Sequence, residues 1–137
     1  MSFLLDTNIV SEKFKGARCD VNVAAWFDGV ASNDLFLSVL VLGEIRKGAE
    51  MIRARDLHRA RKFEAWVLIL PELYSSRVLP LTAEIADEWG RMSAFRALPV
   101  IDSLLAATAK VHGLTLVSRN RTDFAGLDVA VLDPFTA

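Results

Sequence analysis

The chain is 137 residues long, 53% hydrophobic and 24% charged, with 7 Gly and 4 Pro. That length fits a single domain over residues 1–137 and excludes two self-sufficient cores. The composition excludes disordered, collagen-like and low-complexity chains. Lys and Arg number 16 against 17 Asp and Glu, a formal charge of -1, which argues against nucleic-acid binding by bulk attraction to phosphate but leaves a local basic patch open. The single cysteine, Cys19, can form neither an intrachain disulfide nor a thiolate metal cluster. The N-terminus reaches Asp6 before a signal-peptide core could develop, and the apolar stretches around 35–42 and 65–71 fall far short of the ~20 residues that span a bilayer. These features lead us to expect a cytoplasmic protein without a membrane anchor.

In chain order, Phe3–Leu5 is a short apolar run that reads as a strand, and Leu35–Leu37 is a second. Ser38 then suits the N-cap of a helix whose apolar stripe runs Val41, Ile45, Ala49, Ile52. A further helix is predicted over Ala60–Leu73, with Phe63, Trp66, Val67 and Leu70 at helical spacing, followed by a strand over Arg77–Leu79. Thr82 could cap a helix carrying Ile85, Ala86, Trp89 and Met92, and the last helix runs from about Asp102 through Leu104, Leu105, Thr108 and Ala109 to a stop at Gly113. Strands over Thr115–Val117 and Val129–Leu132 complete the series. Short strands without polar alternation, interleaved with helices, predict an α/β fold with a central, mainly parallel sheet of four to five strands flanked by helices. Ligands of such sheets bind beyond the carboxyl ends of the strands.

Acids stand at those ends. Asp6 directly follows the first strand, where it could be a helix cap or a functional carboxylate. Glu44 flanks the stripe of the helix after the second strand, and an unpaired carboxylate there needs a cation, either a side chain such as Arg46 or Lys47 or a metal ion. Asp102 opens the last helix, where capping and metal binding are compatible. Asn120 and Asp123 lie in the loop after Thr115–Val117, where turn chemistry is the simpler alternative. Together these carboxylates would repel one another on one rim unless a hard divalent ion joined them. Mg²⁺ or Mn²⁺, which takes oxygen ligands, suits them, whereas His58 and His112, the chain's 2 histidines, form no zinc pattern.

The run Phe3-Leu4-Leu5-Asp6-Thr7-Asn8, the segment from Leu37 to Glu44, the segment from Ile101 to Ala109 and the run Ser118-Arg119-Asn120-Arg121-Thr122-Asp123-Phe124 resemble the PIN domain, most closely the VapC-type ribonuclease toxins of toxin–antitoxin modules, including their FitB-like branch. The likeness covers nearly the whole chain. It implies a PIN-like fold and a metal-dependent endoribonuclease that hydrolyses RNA, tRNA included, with Asp6, Glu44 and Asp102 as the core acids around Mg²⁺ or Mn²⁺ and Asp123 as the fourth acid. Asp6 and Asp102 would be the most direct ligands, and Asn120 a neutral partner. Thr7 matches a polar position suited to placing the first acid or a water. The implied partners are a cognate antitoxin of VapB or FitA type, itself DNA-binding, and a second copy of the chain.

Phosphodiester hydrolysis needs an activated water and a stabilised leaving oxyanion, both of which carboxylate-held metal ions can supply, and no Cys–His or Ser–His arrangement suggests a covalent nucleophile. Arg119 and Arg121 flank the expected site and could contact phosphates. The basic stretch of Arg46, Lys47, Arg53, Arg55, Arg59, Arg61 and Lys62 is open to three readings: a solvated helical face, an RNA-tracking patch near the rim, or an antitoxin contact. Trp26, Trp66 and Trp89 are expected in the core. A binding module that joins a DNA-binding partner with little nuclease activity is the competing function. A phosphatase using Asp6 as nucleophile is weaker, since Asn8 stands where a second Asp would be needed in a haloacid-dehalogenase-like enzyme.

Overall fold

The computed structural model describes residues 1–136, in which five parallel strands form one sheet flanked by six α-helices. The elements are β1 (Phe3–Leu5), α1 (Thr7–Lys13), α2 (Val21–Asp28), β2 (Leu35–Ser38), α3 (Val39–Arg53), α4 (Leu57–Tyr74), β3 (Val78–Leu79), α5 (Ala83–Ser93), α6 (Val100–His112), β4 (Thr115–Val117) and β5 (Val131–Leu132). Every expected strand is present, with the last shorter than its apolar run. Val129 lies outside it because the chain bends through Asp128, whose φ is 54°, before pairing with β4 begins at Val131. The α/β expectation, with a parallel sheet, is met.

The strand order is β3-β2-β1-β4-β5. The chain thus builds outward from β1 through β2 to β3, then returns to lay β4 against the other side of β1. The reversal creates a switch point between β1 and β4, the place where open α/β sheets leave a crevice beyond their strand ends. Leu4 pairs with Phe36 on one side and Leu116 on the other. β1 is covered on both faces, so Leu4 and Leu5 have no accessible surface.

The helix signals hold in most places. Ser38 caps α3 by accepting from the Leu40 amide at 3.1 Å, and Thr82 caps α5 by accepting from Ile85 at 3.2 Å. Gly113 closes α6 in the left-handed conformation, φ 66°, which glycine adopts without steric cost. Asp102 departs from expectation. Pro99 occupies the N-cap position of α6 with no side-chain capping bond, and Val100 and Ile101 are already helical, so Asp102 lies in the first turn and caps nothing. The fixed φ of proline prepares the chain for helix entry directly after it. Asp102 therefore retains both carboxylate oxygens for other partners.

The tryptophans, expected in the core, are half-buried: Trp26 and Trp66 pack against it and Trp89 lies outside the core cluster. Trp26 meets Phe3 edge-on at 5.2 Å between ring centres, Trp66 stacks on Phe14 at 3.7 Å, and the Trp89 indole N–H donates to Ser103 Oγ at 2.9 Å. The basic stretch forms the far end of the α3–α4 hairpin. Arg53 is nine residues beyond Glu44, roughly 14 Å along the helix axis, whereas Arg46 and Lys47 stand within one turn of it. There Arg46 and Arg53 pair with Glu50, and Arg53 also with Glu64, as a solvated helical face would. Among the described residues no helix is long and apolar enough to cross a membrane.

The sheet's centre carries the stability. Leu116 is fully buried between β1 and β5. Leu116→Ala is expected to cost about 2–5 kcal/mol, read as a lower urea midpoint at unchanged slope.

Candidate active site

Asp6 begins the site. It follows β1 at the switch point, is 4% exposed, and caps α1 by accepting from the Thr7 amide at 2.7 Å. Its backbone N–H donates to the Val117 carbonyl at 2.9 Å, which holds it against the end of β4. Across that seam, Ser118 Oγ donates to Asp6 Oδ2 at 2.6 Å and accepts from the Asn120 amide at 3.0 Å. Capping and site membership coexist in Asp6: one oxygen serves the amide, the other the hydroxyl.

Glu44 reaches the same rim from the second turn of α3, where it is half-buried and accepts a short hydrogen bond from Thr7 Oγ1. The cation expected beside it is not a side chain. Arg46 turns to Glu50, and none of the ion pairs among the described residues involves Asp6, Glu44, Asp102 or Asp123. Asp102 comes from the first turn of α6, and Asp123 from an exposed 3-10 turn over Arg121–Phe124.

The electrostatics follow from this placement. Burial raises the Asp6 carboxyl above its ordinary value. The Ser118 and Thr7 hydrogen bonds oppose that rise, while the Glu44 charge adds to it. Asp102 is pushed from 3.8 up to about 6, first by burial and then by the charges of Asp6, Asp123 and Glu44. Four carboxylates from four parts of the chain thus share one field, with only neutral donors among them. They do not close into a cage: among the described residues, no three His, Cys, Asp or Glu side chains stand close enough together to grip an ion as they are. The donor set is nonetheless all oxygen, anionic and without a protein cation, which fits a hard divalent ion.

The other expected residues divide. Thr7 meets Glu44 through its hydroxyl, whereas Asn120 reaches the site only through its backbone N–H, which donates to Ser118 Oγ. Arg119 is exposed and lays its guanidinium 4.4 Å from the centre of the Phe135 ring. Arg121 lines a separate cleft with Asp128 and Val131. His58 and His112 are exposed. Sequence reasoning missed Ser118, although its run was in view. The usable signal was its position one residue beyond a strand that neighbours β1, where a hydroxyl can face the first acid.

Comparison with known proteins identifies the family and the fold. A family model described as the PIN domain matches residues 3–129. Toxin FitB of Neisseria gonorrhoeae is 30% identical over 140 aligned residues, spanning 96% of this chain and 97% of that protein. VapC ribonuclease Y4jK of Sinorhizobium fredii is 31% identical over 133, spanning 92% and 94%. Among solved structures, FitAcB from Neisseria gonorrhoeae superposes with a TM-score of 0.84 at 28% identity, covering 98% of this chain and 99% of that one. FitAB bound to an IR36 DNA fragment gives 0.81 at 29%, covering 98% and 96%.

The raised Asp102 makes a pH prediction with a definite sign. Between about pH 4 and about 6 the folded protein holds the Asp102 proton that the unfolded chain has lost, so this residue's contribution to stability falls as pH rises through that window. Asp102→Asn is expected to raise the melting temperature at pH 7.5, and its advantage over the unsubstituted chain is expected to vanish near pH 4. Equal differences at both pH values would contradict the burial of Asp102 beside like charges.

Proposed function

We infer the activity from one premise: this chain belongs to the PIN domain family. The reading is a metal-dependent endoribonuclease, the toxin of a toxin–antitoxin module. The observation that carries it is the set of oxygen acids at the β1/β4 switch point, which has no protein cation and in which Asp102 is driven up to about 6. The names of the relatives, a VapC ribonuclease and Toxin FitB, support the same reading.

Asp6 and Asp102 would hold a Mg²⁺ ion, for which Mn²⁺ can substitute, with Glu44 and Asp123 completing the acidic rim. A dication held there supplies a water-derived nucleophile and neutralises the leaving oxyanion. The chain's own residues set the geometry. Ser118 and the Thr7 amide fix the two oxygens of Asp6, and Thr7 Oγ1 fixes Glu44. Hydroxyl donors orient carboxylates without neutralising them, so the full negative charge is kept for the ion. The exposed side of Asp123 and Asn120 leaves the rim open to a polymeric substrate.

The partner expected of such a toxin is an antitoxin with an amphipathic segment. A cavity of about 220 Å³ between α1, α2 and α4, lined by residues including Phe14, Trp66, Leu70 and Tyr74, offers an apolar seat apart from the acids. A second reading follows from the likeness to FitAB bound to DNA: a subunit that joins a DNA-binding antitoxin and cuts RNA little or not at all.

One experiment separates the two. Protein freed of any partner is expected to cut labelled RNA at defined positions in Mg²⁺ and to stop in EDTA. Asp6→Asn and Asp102→Asn are expected to abolish cutting while the chain still melts cooperatively. No cutting in either Mg²⁺ or Mn²⁺ by well-folded protein would leave the DNA-regulating reading in its place. Ser118→Ala is expected to weaken Mg²⁺ binding about 10–100-fold by calorimetry, and Ser118→Thr to restore it.

A further inference from the structure

Arg119 flanks the site with its side chain laid on an aromatic ring and not on a carboxylate. It follows Ser118 directly, so its backbone leaves the seam at the point where Asp6 is fixed. Its amide donates to Asn8 Oδ1 in the first turn of α1, at 3.4 Å. The guanidinium lies over Phe135, and among the described residues it enters no ion pair. The nearby Glu12 carboxylate is already occupied, accepting from Lys15 Nζ at 2.8 Å and from the Asp20 amide at 2.7 Å.

Phe135 is itself fixed. Its carbonyl accepts from Asn22 Nδ2 of α2 at 2.9 Å, and its amide donates to Asp133 Oδ1 at 2.9 Å. Pro134 beside it is buried. The last turn of the chain is thus tied to α2, and its ring is presented to the arginine. An aromatic face orients a guanidinium without using its N–H donors. Five donors in a planar fork remain for a planar or tetrahedral oxyanion.

We propose that Arg119 is a phosphate-binding residue of this chain, gripping an RNA phosphate adjacent to the one at the acids, and that Phe135 is the positioning residue that holds it there. The C-terminal turn is then part of the substrate interface. The assignment rests on the RNA-cleaving reading for its substrate class, but it makes a separate claim about binding.

The test uses the full chain, freed of partner, and a fluorescent single-stranded RNA oligonucleotide. Binding is read by anisotropy in EDTA, where no cutting occurs, and cutting is read in Mg²⁺. Arg119→Ala is expected to raise Kd and KM about 3- to 10-fold with kcat little changed, and to lower the slope of log Kd against log salt by about 1. Phe135→Leu, which keeps apolar volume but has no aromatic face, is expected to raise KM in the same direction, and Phe135→Trp to restore it. Melting temperatures of the variants identify any loss of fold, and Arg119→Lys gives a surface substitution that keeps the charge but loses the fork, with an intermediate KM expected.

Wild-type KM and Kd in Phe135→Leu, or an unchanged salt slope in Arg119→Ala, would overturn the proposal. So would variants that bind and cut RNA normally but fail to capture a purified antitoxin, since Arg119 would then serve a protein partner. If the unsubstituted protein binds RNA through Arg119 yet does not cut it, the nuclease reading fails and the phosphate assignment stands. If it neither binds nor cuts, both fail.

Discussion

Burial of carboxylates without a cationic partner, compounded by their mutual repulsion, governs this site. Asp6 is nearly inaccessible to water, and Asp102 is burdened first by burial and then by the charges of Asp6, Asp123 and Glu44. Elsewhere the chain pairs its acids: Glu12 with Lys15, Glu88 with Lys110, Asp87 with Arg91. Those pairings hold Glu12 and Glu88 below their ordinary values, the Lys15 and Lys110 hydrogen bonds leading in each case. The rim acids differ in being partly or largely buried without a cationic partner, which concentrates unfavourable electrostatics where a ligand cation would relieve them.

The strand order is what makes the concentration possible. Because β1 lies between β2 and β4, the residues leaving their carboxyl ends emerge side by side. Asp6 leaves β1, Ser118 leaves β4, and Glu44 arrives one and a half turns into the helix that Ser38 starts at the end of β2. Asp102 is supplied from the opposite direction, by the helix that feeds β4. The parallel ladder fixes these exits relative to one another through backbone bonds buried on both faces. A slip of register would move Asp6 away from Ser118 and place an apolar side chain in the crevice.

Much of this was legible in the chain. Apolar runs of three or four residues between helical stripes can hardly be anything but buried strands, and an acid placed immediately after such a run must sit at its end. Asp6 was therefore readable from Phe3-Leu4-Leu5 alone, and Glu44 from its distance to Ser38. Other features depended on partners far along the chain. Asp102 read as a cap because the local rule favours Asp at a helix start, whereas Pro99 begins the helix earlier and frees the acid. Glu44 called for a cation and received the Thr7 hydroxyl, 37 residues away, which no local pattern encodes. α1 and α2 were given no bounds from the sequence, although Asp6 read as a possible helix cap. α1 is short and follows an Asp-Thr-Asn run that also suits a turn, and α2 depends on Asp20 capping it through the Asn22 and Val23 amides.

The choice of donors explains why the rim stays anionic. An arginine or lysine placed against Asp6 would relieve its desolvation more fully than a serine can, and would lower its affinity for a metal by the same act. Ser118 and Thr7 take a middle course: each gives one hydrogen to one carboxylate oxygen, fixing its direction while leaving its charge intact. Arg119, next to Ser118 in sequence, rests its guanidinium on the Phe135 ring. That ring therefore does two things at once. It orients the guanidinium without using its N–H donors, and in the reading proposed above it stations that charge for a passing anionic polymer.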